Sequence, residues 1–141
     1  MDKQLKLTES ITIHAPAASV WHALTDKATI KEYFFGTDVK SDWKKGSAII
    51  WSGEWEGKYY EETGKVLEVE ENKRLVYNYL SSGKEDKPEN YAIIHYLLEP
   101  SGKDIHFTVT QENFLSSEAY EHSVENWKAV LAGLKKIAER N

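Results

Sequence analysis

Residues 116–141 read SSEAYEHSVENWKAVLAGLKKIAERN, and this stretch decides the fold. Tyr120, Val124, Trp127, Leu131, Leu134 and Ala138 recur at spacings of 4, 3, 4, 3 and 4, which is one face of an α-helix. Val130 and Ile137 flank that stripe. Glu121, Glu125, Lys128, Lys135, Lys136 and Glu139 cover the opposite side. Ser116 or Ser117 is placed to cap the helix, with Glu118 in its first turn and Arg140 in its last, as the helix dipole favours. Burying such a stripe is worth on the order of 10–20 kcal/mol before the entropy of ordering is subtracted. A helix with this face must lie on something large, and the remaining chain offers only a sheet.

The rest of the chain reads as strand, two short helices, then strands. Leu5, Leu7, Ile11 and Ile13 share one parity, as on a half-buried strand. Pro16 sits where a first helical residue would, and Ala17, Val20, Trp21 and Leu24 form one apolar helical face. Asp26 is placed to cap a second helix, faced by Ile30, Tyr33 and Phe34 and ended by Gly36. From Thr37 to Asn113 the period is two, with strand-like runs at Ser47–Ser52, Tyr59–Val69, Leu75–Leu80, Tyr91–Glu99 and Ile105–Phe114. The expectation is an α+β helix-grip fold in one domain: a bent antiparallel sheet of about six strands, two short helices, and the long C-terminal helix packed over the sheet.

Facing residues follow from the turns. If Pro100 pairs with Lys103, then Leu98 faces Ile105, Tyr96 faces Phe107, Ile94 faces Val109 and Ala92 faces Gln111, all on one side. The other side then carries His95 and His106 as diagonal neighbours. In the preceding hairpin, Val69 opposite Leu75 places Leu67 against Tyr77 and Lys65 against Tyr79. The side with Tyr96, Phe107 and Val109 is expected beneath the helix, with Trp127 pointing into it. The polar stretch Ser81–Asn90 is expected as a mobile exposed loop.

Composition narrows the function. The 141 residues contain no cysteine, so disulfide and thiolate chemistry are absent. The start of the chain shows no signal-peptide pattern and no run approaches the ~20 apolar residues of a membrane span, which suggests a cytoplasmic protein. A net charge of −5 argues against nucleic acid and against anionic membranes. Aromatics are abundant, with 5 Trp, 8 Tyr and 4 Phe. No nucleophile elbow, phosphate loop or metal-ligand spacing occurs. His14, His22, His95, His106 and His122 are expected in solvent, and Glu112 on the outer sheet face. No catalytic residue, metal or cofactor is assigned. The inward polar groups Tyr77, Tyr79, Tyr96 and Gln111 have two readings: they satisfy one another across the core, or they orient a ligand.

Taken in order, several motifs resemble one known group. They are Ile11-x-Ile13-x-Ala15-Pro16 running into Val20-Trp21-x-Ala23-Leu24-Thr25-Asp26; Tyr33-Phe34; Gly64-x-Val66 with Arg74-Leu75-Val76-Tyr77; Leu98-Glu99-Pro100; and Trp127-x-x-x-Leu131-x-x-Leu134. Their order is similar to that of the SRPBCC or START-like superfamily, and within it to the activator of heat-shock-protein-90 ATPase homologue family. The resemblance spans Thr8 to about Arg140. It implies a cavity between long helix and sheet, usually for an apolar ligand. Two positions depart from the pattern: Asn126 stands where a glycine is frequent before the tryptophan, and Gln111 stands where a histidine is frequent.

The expected function is binding of an apolar small molecule, lipid-like or polyphenol-like, by a monomer or weak homodimer. Tyr77, Tyr79, Ile94, Tyr96, Phe107, Val109, Gln111, Trp127 and Leu131 form the candidate site. A cyclase- or hydrolase-type enzyme is one alternative, opposed by the lack of any histidine or carboxylate assigned to the inner face. A co-chaperone-like interaction module is the other. It is opposed by the separate N-terminal domain that the co-chaperone has and this sequence does not show.

Overall fold

The computed structural model describes residues 5–34, 36–80, 84–114 and 116–140. Strand β1 (Lys6–Ile13) leads into helices α1 (Ala17–Thr25) and α2 (Lys27–Tyr33). Six strands follow: β2 (Asp38–Lys40), β3 (Ala48–Trp55), β4 (Lys58–Glu70), β5 (Arg74–Leu80), β6 (Tyr91–Ser101) and β7 (Asp104–Glu112). A 3-10 turn at Pro88–Asn90 precedes β6, and the long helix α3 (Ser117–Ala138) closes the chain. All pairings are antiparallel, in a seven-stranded sheet of order β1-β7-β6-β5-β4-β3-β2. The additional strand is β2. Its three residues are too few for a period-two signal, and it forms by pairing with Ile50–Ser52.

The helix boundaries follow local chemistry. Pro16 is the N-cap of α1 rather than its first residue, at φ −66° and ψ 156°. Asp26 accepts from the Thr29 backbone N–H at 3.0 Å and so starts α2. Gly36, at φ +75°, turns the chain away after it. Ser116 caps α3 by accepting from the Ala119 N–H at 3.0 Å.

Helix α3 lays its expected stripe on the sheet, but unevenly. Trp127, Val130, Leu131, Leu134, Ile137 and Ala138 are buried, whereas Tyr120 and Val124 are only partly so. Gly133 meets α2 at close range: a Cβ there would lie 2.9 Å from the Tyr33 Cβ. The C-terminal end is tied to β1. Lys135 donates to the Thr12 carbonyl at 2.9 Å and to Glu139, which accepts from the His14 backbone N–H at 2.7 Å. These bonds occupy backbone groups at the end of an edge strand, where unpaired N–H and C=O groups are otherwise exposed.

Two registers differ from expectation. In the β6–β7 hairpin the closing pair is Ser101 with Asp104, and Pro100 faces Ile105. Gly102, at φ +62°, takes the first central position of a two-residue turn, which favours a glycine there. The whole ladder is therefore displaced by one pair: Tyr96 faces Val109, Leu98 faces Phe107 and Ile94 faces Gln111. A displacement of two residues keeps every side chain on its face, so the inner set is unchanged. The outer set is changed: His95 now faces Thr110 and His106 faces Glu99, so the histidines are not diagonal neighbours.

The β4–β5 hairpin begins as expected, with Val69 opposite Leu75. Its turn dispenses with glycine because Asn72 adopts φ +65°. A bulge between Val66 and Glu68 then shifts the pairing by one. Val66 faces Tyr77 and Gly64 faces Tyr79, instead of Leu67 and Lys65. The physical reason is parity: without the extra residue Lys65 would point into the core, and with it Val66 is fully buried there.

Of the expected loop Ser81–Asn90, residues 81–83 lie outside the described residues. Residues 84–89 are exposed, while the end is held: Asn90 donates to the Glu85 carbonyl at 2.9 Å and Tyr91 donates to Asp86 at 2.7 Å.

Candidate functional site

The inner face of β5, β6 and β7 carries a continuous aromatic seam. Strand alternation puts Tyr77, Ile94, Tyr96, Phe107, Val109 and Gln111 on that face, and all are buried. Trp127 and Leu131 descend onto it from α3 and are also buried. Tyr96 lies at the centre, with ring centroids 5.4 Å from Tyr77, 5.3 Å from Phe107 and 6.0 Å from Trp127. Trp51 extends the seam across β3, 5.7 Å from Tyr77 and 5.9 Å from Tyr79. Tyr79 is the half-buried end of the row, and Phe34 meets the Trp127 ring edge-on at 6.2 Å. Edge-to-face pairs dominate, the arrangement that ring quadrupoles favour.

Two polar links cross this apolar interior. The Trp127 indole N–H donates to Gln111 Oε1 at 2.7 Å. The Tyr77 and Tyr96 hydroxyls are hydrogen-bonded to each other at 2.8 Å. Tyr33, from α2, donates to the Ala23 carbonyl at 2.7 Å. Burial holds the Tyr33, Tyr77 and Tyr96 hydroxyls above the usual phenol range, because a phenolate would be desolvated there. The hydrogen bond from Tyr77 works the other way on Tyr96 but is the smaller influence. These groups are proton-bearing hydrogen-bond partners at neutral pH, not bases.

The sequence-derived residues thus converge on one seam. Two further members, Trp51 and Phe34, and one inner-face position beside the seam, Glu9, were not in that set. Trp51 was legible from the alternation of Ile49 and Trp51 in its strand. Phe34 was assigned to a helix face and instead caps α2, edge-on to Trp127. Glu9 corrects an earlier expectation. Its strand pairs it with Val109 on the same face as Leu7, Ile11 and Ile13, so one carboxylate position does belong to the inner side, and Glu9 is half-buried. The shared parity of those four β1 positions was the signal.

The outer face is mixed, with Val76, Ile93 and Leu97 on it, and charged groups there pair locally. His95 and Glu112 approach to 2.9 Å, with Lys6 3.8 Å from the same carboxylate. Away from that face, His14 just past β1 lies 3.1 Å from Asp104, and His22 on α1 lies 3.8 Å from Asp26 at the helix end. Among the described residues no cluster of three or more His, Asp or Glu has metal-site geometry, and no helix is long and apolar enough to cross a bilayer.

A seven-stranded antiparallel sheet gripped by one long C-terminal helix is the architecture on which comparison with known proteins converges. Residues 14–139 match the family described as Activator of Hsp90 ATPase homolog 1-like protein. The chain belongs to that family. A search of curated proteins found no match. Among solved structures, the protein ChR145 from Cytophaga hutchinsonii is 42% identical, with a TM-score of 0.84 over 99% of this chain and 97% of that one. The Aha1 dimer from Colwellia psychrerythraea shares the fold at 21% identity and a TM-score of 0.78, over 96% of this chain and 97% of that one. Ara h 8.0201 shares it at 11% identity and a TM-score of 0.78, over 97% and 99%. The sequence-level resemblance to the SRPBCC superfamily and to this family therefore holds.

Proposed function

We propose that this family member binds an apolar small molecule carrying one hydrogen-bond acceptor, held between α3 and the inner face of the sheet. The observation that carries this reading is the Tyr77–Tyr96 pair. Two hydroxyls bring two protons, the bond between their oxygens, 2.8 Å apart, uses one, and among the described residues no other hydrogen bond to either hydroxyl is found. The second proton is left for a third acceptor on an inner face that is otherwise mostly apolar. A buried donor of that kind gains most from a carbonyl or ether oxygen on an apolar body. The ring edges of Trp51, Tyr77, Tyr96, Phe107 and Trp127 supply apolar surface for the remainder, with Ile94, Val109 and Leu131 behind them.

Access is best sought beside the first turns of α3, where Tyr120 and Val124 are only partly buried, and beside Phe34 and Tyr79 at the edge of the seam. Gln111 and Trp127 fix the depth at which the helix sits. The fold is of the type that holds hydrophobic ligands in its relatives, which supports the same reading.

The test is native mass spectrometry of freshly purified protein with organic extraction, followed by tryptophan fluorescence titration with a panel of fatty acids and polyphenols. The expected result is a stoichiometric apolar adduct, or saturable quenching that is lost in Trp127→Phe. An empty protein with no saturable response from any member of the panel would overturn the proposal.

A further inference from the structure

Two open troughs of about 530 Å³ and 550 Å³ flank Trp43, and they share no residue with the seam described above. Thr25, Asp42 and Trp43 line both, so Trp43 stands between two neighbouring lobes. Each volume is within the ~300–1,000 Å³ range of small-molecule sites.

Trp43 has an unusual backbone. Its φ is +55°, a left-handed conformation that a bulky residue rarely adopts. The short β2–β3 connection enforces it. The Trp43 N–H donates to Ser41 Oγ at 3.1 Å, the Lys44 N–H to Ser47 Oγ at 3.3 Å, and the Gly46 N–H to the Val66 carbonyl at 2.8 Å. Strain of this kind persists where surrounding structure over-determines it, and such positions cluster at ligand clamps. A glycine or asparagine would occupy the position with less strain, but neither would bring an indole between the lobes.

Charge distinguishes the lobes. The first is lined by Lys27 and Lys40 beside Ala48 and the half-buried Ile50, with Asp42 its lone carboxylate. The second sets Lys44 and His22 against Asp42 and Glu71. Among the described residues neither Lys27 nor Lys40 is ion-paired, whereas nearby Lys31 is held by Asp38 at 3.2 Å. Two lysines outside any ion pair among the described residues line this one trough, giving local positive charge on a chain whose net charge is −5.

We propose that the lobe bounded by Lys27, Lys40 and Trp43 is a second binding site, for a small aromatic carboxylate. Its ring lies over Ile50 against the Trp43 indole, and its carboxylate is met by the two lysines. Glu71, which lines the second lobe and not the first, keeps the anionic end out of the second lobe.

The experiment is a ¹H–¹⁵N correlation titration of the intact chain with 2-naphthoate and, in parallel, neutral 2-naphthalenemethanol. The expected result is saturable naphthoate shifts at residues 25–27, 39–43 and 47–50. Naphthoate affinity at these signals should fall about tenfold in Lys27→Ala/Lys40→Ala, the scale of two lost surface charge contacts. The neutral alcohol should leave the same signals in place. Trp43→Gly relieves the left-handed strain, so it should retain the native spectrum elsewhere while losing the naphthoate shifts. Naphthoate shifts confined to residues 77–79, 94–96 and 107–111 would overturn this site while supporting the interior one. An affinity unchanged in the double lysine variant, or equal for acid and alcohol, would also overturn it.

Discussion

The Trp127 indole N–H reaches down from α3 to Gln111 Oε1 on β7, 2.7 Å away, and both residues are more than nine-tenths buried. The bond fixes the rotation of the helix over the sheet, because an apolar residue at 111 would strand a buried donor. Gln111→Leu is expected to destabilise the protein by about 1–3 kcal/mol, the cost of an unsatisfied buried group. In Trp127→Phe/Gln111→Leu no donor remains to strand, so the double variant should cost less than the sum of the singles by about 1 kcal/mol. Urea unfolding of the four proteins measures this, and strict additivity would show that the bond does not link helix to sheet.

Removing the ring itself has a larger consequence. Trp127→Ala deletes edge-on contacts with Phe34 and Tyr96 as well as the Gln111 bond. The expected loss is about 3–5 kcal/mol, the range for emptying a packed aromatic position. A loss below about 1 kcal/mol at unchanged denaturant slope would mean that the indole is not packed as the structure has it.

The buried tyrosines set the alkaline limit. Tyr33, Tyr77 and Tyr96 hold their protons more tightly in the folded chain than the ordinary value of 10.0. Their folded values lie above the unfolded one, so their contribution to stability is complete below about pH 10 and declines as pH rises beyond it. Absorbance at 295 nm should therefore rise in two stages, the second coinciding with loss of the near-ultraviolet circular dichroism. A single stage that ionises all 8 tyrosines while the native dichroism persists would contradict this.

How much of this was legible beforehand depends on the length scale of the signal. The stripe from Tyr120 to Ala138 and the alternation in β6 and β7 gave the helix, the inner face and the seam, because burial imposes periodicity over many residues. What failed was fixed locally. The β6–β7 register depends on which turn position Gly102 occupies, and displacement by one pair preserved the faces while separating His95 from His106. The β4 bulge is a single extra residue with no motif of its own, and it exchanged Lys65 and Leu67 for Gly64 and Val66. The Trp127–Gln111 and Tyr77–Tyr96 partnerships are long-range, so sequence could name their members but not pair them.

At the other end of α3, the Glu139 carboxylate accepts from Lys135 and from the His14 backbone N–H, and these bonds hold it below the usual carboxylate range. Its folded value is lower than the unfolded 4.5, so its contribution is present above that pH and is lost as pH falls through the folded value. Glu139→Gln should lower the melting temperature at neutral pH, and the gap from the parent should narrow as pH drops below about 4. A gap that stays constant with pH would mean that the carboxylate charge contributes nothing to tying α3 to β1.

The sharpest test of the bulged register is Gly64→Ala. Gly64 faces Tyr79 across the β4–β5 ladder, and a Cβ there would run into the Asn78 carbonyl oxygen and lie 3.1 Å from the Trp51 ring. Neither neighbour can yield cheaply. Asn78 is in the backbone of a central strand, and its side-chain oxygen also accepts from the Lys65 N–H at 2.9 Å. Trp51 is wedged against Tyr77 and Tyr79. One methyl group should therefore cost more than about 3 kcal/mol, well above the typical effect of a single substitution. In the alternative register without the bulge, Lys65 would face Tyr79 and residue 64 would point outward, where an alanine is tolerated in a strand. Lys65→Ala provides the control, expected within about 0.5 kcal/mol of the parent as an outward-facing position. A Gly64→Ala protein as stable as the parent, with Lys65→Ala the damaged one, would reverse the assignment of β4's faces and place Leu67 rather than Val66 against Tyr77.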